Sequence, residues 1–115
     1  MFHSNIRELT LLQGGGTFTR EGLPYFPGSG YAVAVTLGTY AKLSTGADFG
    51  PTVDKLLEDF SGGSIFIGTW VQGDTVHLDP VMVLDSLSQA LSLGQALKQE
   101  SIYDFYTDKV IEVPS

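Results

Sequence analysis

The sequence predicts an α+β domain: a mainly antiparallel sheet with two helices packed over one face. Three observations lead there. Short β-rich runs recur between glycine, proline and aspartate turns; Val53, Leu56, Leu57 and Phe60 make one apolar helical stripe; and a second helical segment near Ser86 leads directly into a closing strand pair. At 115 residues the chain is long enough for one domain and short for two, so residues 1–115 are expected to share one core.

Residues 1–13 carry Ile6, Leu9, Leu11 and Leu12 in a pattern that fits neither the helical nor the strand period, so this stretch is read as a mobile N-terminal arm. Gly14-Gly15-Gly16 is expected to act as a hinge. Thr17-Phe18-Thr19-Arg20 is a short β-rich run, and Glu21–Gly30 has the composition of an ordered loop. Tyr31–Leu37 reads as a strand whose larger residues, Tyr31, Val33, Val35 and Leu37, share one face; Tyr40–Ser44 continues it after a break at Gly38.

Gly50-Pro51 opens the first helix, since proline at the first helical position loses no hydrogen bond, and Ser61-Gly62-Gly63 closes it. Ser64–Val71 and Thr75–Asp79 form a hairpin around Gln72-Gly73-Asp74, with Gly68 marking a bulge or a close approach. Pro80 is expected to end that strand and start a linker. Ser86 and Gln89 have capping-box spacing, and Val83, Leu87, Ala90, Gly94 and Leu97 line one face of a helix of about four turns. Gly94 in its middle calls for a close neighbour or an interruption. Ser101–Phe105 and Lys109–Val113 then make a hairpin around Tyr106-Thr107-Asp108.

Charge excludes several functions. A net charge of −7, with Arg7, Arg20, Lys42, Lys55, Lys98 and Lys109 scattered singly, repels nucleic acid and anionic lipid alike. Absence of cysteine removes disulfides, thiolate catalysis and cysteine metal sites. There is no basic region followed by an apolar run at the N-terminus and no stretch near the ~20 apolar residues a membrane span needs. A soluble, cytoplasmic protein is expected.

Among chemistry-bearing residues, His3 falls in the arm, while His77 alternates with Val76 and Leu78 and shares a strand face with Asp79. That pair could serve a small hydrolase or a metal-dependent enzyme, yet spacing assigns neither a third ligand nor a nucleophile. Asp74, Asp79, Asp85 and Asp104 offer carboxylate pairs, though thirteen acids in this chain make pairs common. Gly14-Gly15-Gly16-Thr17 is followed by Phe18-Thr19-Arg20 instead of a lysine-bearing helix, so it is not read as a phosphate loop. No catalytic residue, metal ligand or cofactor is assigned.

Glu100, Asp104, Asp108 and Glu112 recur every fourth residue through the terminal hairpin, with Tyr106 at its tip. Together with Asp54, Glu58 and Asp59 they could present a negative surface like that of a phosphate backbone. Trp70, in a glycine-flanked strand, is read as core; Tyr25-Phe26 and Tyr106 are read as exposed loop aromatics, the usual anchors of interfaces.

Several segments carry a resemblance. Gly14-Gly15-Gly16-Thr17-Phe18, Gly28-Ser29-Gly30-Tyr31-Ala32-Val33, Ile67-Gly68-Thr69-Trp70 with Val76-His77-Leu78-Asp79, and Ala90-Leu91 through Ser101-Ile102-Tyr103-Asp104 and Ile111-Glu112 resemble a family of small proteins encoded by actinobacterial phages and mobile elements. Its members carry Gly-Gly-Trp where this chain has Gly68-Thr69-Trp70. The resemblance implies a genomic setting and brings no activity with it.

The expectation is thus a non-enzymatic accessory protein of a phage or mobile element. It binds a host or phage protein through Glu100, Asp104, Tyr106, Asp108 and Glu112, in one form inhibiting a nucleic-acid-directed defence as anti-CRISPR, anti-restriction and DNA-mimicking proteins do. The alternatives are the His77–Asp79 enzyme and a self-assembling structural protein or homo-oligomer pairing through strand edges.

Overall fold

The computed structural model describes residues 4–62 and 64–114, so His3 lies outside the described residues. The elements run α1 (Ser4–Gln13), β1 (Gly15–Phe18), β2 (Tyr31–Ala34), β3 (Ala41–Ser44), α2 (Gly50–Asp59), β4 (Phe66–Gln72), β5 (Thr75–Leu84), α3 (Leu87–Ala96), β6 (Ser101–Asp104) and β7 (Lys109–Glu112). The strands form one antiparallel sheet in the order β1-β4-β5-β2-β6-β7, with β3 also paired to β5.

β5 is the spine. One of its edges pairs with β4 from Thr75 to Val81; the other pairs with β3 through Thr75–Leu78 and with β2 through Val81–Leu84. Between β3 and β2 the chain leaves the sheet as a loop over residues 35–40. Pro80 lies at this gap, and the strand runs on through it, contrary to the expected stop. Its carbonyl accepts from Val35 N–H at 2.9 Å. A residue's N–H and C=O point to the same side of a strand, so the missing donor faces the gap and costs no bond with β4.

Alternation sorts the side chains. Ile67, Thr69 and Val71 of β4, Val76 and Leu78 of β5, and Val33 and Ile102 of β2 and β6 all point to one side, where the helices lie. α1 and α2 cover the first cluster, in which Ile6, Phe18, Phe49, Val53, Leu56, Ile67, Val76 and Leu78 are buried. α3 covers a smaller cluster of Val33, Ala90 and Ile102. Three helices, one more than expected, therefore share this face.

The additional helix is the supposed arm. Ile6 is 0% exposed, and Thr10, equally buried, shares a 2.7 Å hydrogen bond with Thr69. Leu12, 80% exposed, is what blurred the helical stripe. The three glycines are no hinge either. Gly14, at φ +82, ends α1 by donating to the Thr10 carbonyl, while Gly15 and Gly16 are already strand. A Cβ on Gly15 would lie 2.7 Å from the Thr69 carbonyl oxygen.

Both expected helices form. α2 starts at Gly50-Pro51, and its last carbonyls are bound from outside: Arg20 donates to Phe60 O at 2.9 Å and to Leu57 O at 3.0 Å. α3 is capped by Ser86, which accepts from Gln89 N–H at 3.3 Å. It is shorter than the sequence suggested, because Val81–Leu84 belong to β5. Gly94 meets the close neighbours its place predicted, with Val113 Cγ2 3.0 Å and Ile102 Cγ2 3.5 Å from where a Cβ would be. Gly68 is not a bulge, since β4 and β5 stay in register through it; its missing Cβ makes room for Val81 Cγ1.

Candidate binding groove on the open face of the sheet

The face away from the helices carries Phe66, Gly68, Trp70 and Gln72 of β4, His77, Asp79 and Val81 of β5, Ala32 and Ala34 of β2, and Ser101 and Tyr103 of β6. These residues, apart from Phe66, line a concave groove of about 1050 Å³. Small side chains make its floor: Gly15, Gly68, Ala32, Ala34 and Ser101 leave the sheet backbone close to the surface. Aromatic rings stand around it. Tyr25 stacks on Phe66 with ring centroids 4.2 Å apart and meets Phe105 edge-on at 6.2 Å; Tyr103 meets Phe105 at 5.1 Å. Phe26 is 78% exposed.

Trp70 is 51% exposed and is not core, as the sequence reading had it. It points away from Ile67, Thr69 and Val71, and its cross-strand neighbours are Gly15 on one side and His77 on the other. The signal was present in turn length. A three-residue connection at Gln72-Gly73-Asp74 would set Thr69 opposite His77, whereas the actual turn is Gly73-Asp74 with Gln72 paired to Thr75, which puts Trp70 there. A one-residue slip exchanges the two faces.

His77 and Asp79 share this face, as alternation required, but each is engaged with its own neighbour. His77 Nε2 lies 3.1 Å from Gln72 Oε1 and Nδ1 lies 3.0 Å from Thr39 Oγ1. Since an amide oxygen only accepts, Nε2 donates to Gln72, and in the neutral imidazole Nδ1 then accepts from the Thr39 hydroxyl. Asp79 Oδ1 accepts from Tyr40 N–H at 2.6 Å and from Thr36 Oγ1 at 3.5 Å, tying the 35–40 loop to β5. Burial pushes the Asp79 carboxyl above its ordinary value, opposed by the Tyr40 N–H, by His77 and by Thr36. Gln99 secures the loop from the other side, donating to Thr36 O at 2.6 Å and Gly38 O at 2.9 Å. Among the described residues no group of three or more His, Asp or Glu side chains is placed to hold a metal ion.

The acidic hairpin is arranged differently from the expected single surface. Asp104 is buried on the helix side, where its Oδ1 accepts from Tyr106 N–H at 2.9 Å and shapes the turn. Glu112 is exposed and points to the open side, opposite Ser101. Asp108 occupies the left-handed turn position at φ +57, and Glu100 precedes β6 at the other end of the hairpin. The structure therefore does not bring Glu100, Asp104, Asp108 and Glu112 onto one face, because four-residue spacing loses its meaning across a turn. Tyr106 is 80% exposed at the tip, as expected.

No helix among the described residues is long and apolar enough to cross a membrane. Compared with protein-family models, with curated proteins and with solved structures, the chain finds no match.

Proposed function

We propose that this chain is a non-enzymatic binding protein that holds a segment of a partner protein in the groove on the open face of its sheet. The observation that carries this reading is the exposure of Trp70 and Phe26 at the sides of a groove whose floor is made of glycine, alanine and serine. Exposed aromatics beside a concave floor of small side chains are the composition of interface anchors. Binding is favoured over catalysis by the partners of His77: an imidazole that took the Thr39 proton would have the neutral Gln72 amide, not a carboxylate, at its other nitrogen.

The resemblance to phage and mobile-element proteins supports the finer form, an accessory protein directed at a host or phage protein. Interference with a nucleic-acid-directed defence through charge mimicry would use the exposed acids Glu100, Asp108 and Glu112 without Asp104. The two surfaces are separable by capture from a bacterial host lysate. Trp70→Ala combined with Phe26→Ala is expected to reduce recovery of a specific partner at least tenfold, while Tyr106→Ala with Glu112→Lys, on the hairpin but outside the groove lining, leaves it within twofold. The reverse result would move the interface to the acidic hairpin, and recovery unaffected by either pair would overturn both surfaces.

A further inference from the structure

We propose that the groove takes an arginine side chain of the partner segment, its guanidinium lying on the Trp70 indole and paired with Asp79. This rests on reading the groove as a protein-binding site. Trp70 and Asp79 are diagonal neighbours on adjacent strands, through the pairs Trp70–His77 and Gly68–Asp79. Such diagonals bring side chains within roughly 7–8 Å, a gap that one planar cation can bridge.

Asp79 has the valence left for it. Both of its hydrogen bonds use Oδ1, so Oδ2 has no protein partner among the described residues. Neither lysine nor arginine forms an ion pair with it there, although Lys42 stands on the open face directly across from His77. A partly buried carboxylate with one free oxygen and no ion pair to lysine or arginine has its desolvation offset only in part, by Tyr40 N–H, His77 and Thr36.

The surroundings select the cation. Of the charged residues lining the groove, Asp79, Glu100 and Asp108 are acidic and Lys98 is basic, within a chain of net charge −7. That field attracts a basic segment and repels an acidic one. Arginine fits better than lysine: its flat guanidinium stacks on an indole face and still donates in-plane hydrogen bonds to a carboxylate, whereas an ammonium offers no flat surface. A groove of about 1050 Å³ also exceeds what a lone side chain fills. The arginine therefore arrives on an extended segment whose apolar neighbours lie along Ala32, Ala34 and Tyr103.

The test uses blocked pentapeptides, acetyl-Ala-Leu-Xaa-Leu-Ala-amide, in which Xaa is arginine, lysine or citrulline, the last being a neutral copy of arginine. Trp70 is the sole tryptophan, so its emission reports the titration directly. The arginine peptide is expected to bind at least tenfold more tightly than the citrulline peptide and severalfold more tightly than the lysine peptide. In Asp79→Asn, which keeps an acceptor for Tyr40 N–H, that preference should vanish, with hydrogen–deuterium exchange at Tyr40 confirming that the loop is still held. Equal binding of arginine and citrulline peptides would sink the arginine assignment and leave the groove as an apolar site. No binding of any of the three up to 10 mM overturns it as well, while the capture experiment above judges the protein-binding reading independently.

Discussion

The two faces of this sheet are built from the same strands and do opposite things. On the helix side, large side chains meet large side chains: Phe18, Phe49, Leu56, Ile67 and Leu78 are all at most 1% exposed. On the open side, large rings stand beside glycine and alanine, and the resulting space is left as a groove. The contrast shows how a small sheet divides labour by parity, with one face supplying stability and the other shape.

If that division is right, substitutions should sort by face. The largest effect is expected from Phe49→Ala, which empties the core between α2 and the sheet and should cost about 3–5 kcal/mol in urea unfolding. On the open face, Trp70→Ala in the capture experiment is meant to leave the fold intact. Gly68→Ala is the exception that sharpens the comparison. Its added methyl would collide with Val81 Cγ1, at 2.6 Å from the ideal Cβ, so a loss of about 1–3 kcal/mol is expected from a single carbon. A neutral result would mean that β4 and β5 adjust more freely than their unbroken register suggests.

A smaller effect concerns Asp79 and has a definite sign. Burial raises its folded-state pKa, so the folded protein holds the proton more tightly than the unfolded chain, and stability falls as pH rises through the interval between the two values. Asp79→Asn removes that contribution. The variant's stability relative to the parent should therefore improve from acidic toward neutral pH, as followed by thermal melts across the range, and an unchanged difference would show that the carboxylate is better solvated than its position implies.

How much of this was readable beforehand depended on whether the signal was local. α2 was legible because Val53, Leu56, Leu57 and Phe60 repeat with the helical period behind Pro51, and α3 because Ser86 and Gln89 form its cap. α1 was not, since it is anchored by a narrow stripe around Ile6 and Thr10, one joining a cluster drawn from Phe18 to Leu78 and the other bonded to Thr69, fifty-nine residues away. Pro80 misled because its cost depends on which side of β5 its nitrogen faces, and only the gap between β3 and β2 settles that. The groove stayed hidden for a related reason: its rings and polar groups come from four separate segments, and their common face follows from a turn length misjudged by one residue. The acidic series erred in the opposite sense, as a regular spacing in sequence that Asp104 and Glu112 interrupt in space.

The sharing of β5 has a consequence for cooperativity. Residues Val76 and Leu78 belong to the larger cluster, while Leu84 packs against the smaller one under α3. A single ten-residue strand thus serves as a wall for both. Neither cluster can melt without freeing the strand on which the other is assembled, and the 35–40 loop, fastened to β5 by Asp79 and to the end of α3 by Gln99, reinforces the join. Two cores that never merge are therefore made to live or die together, and the groove on the opposite face of the sheet they share keeps its shape only while both survive.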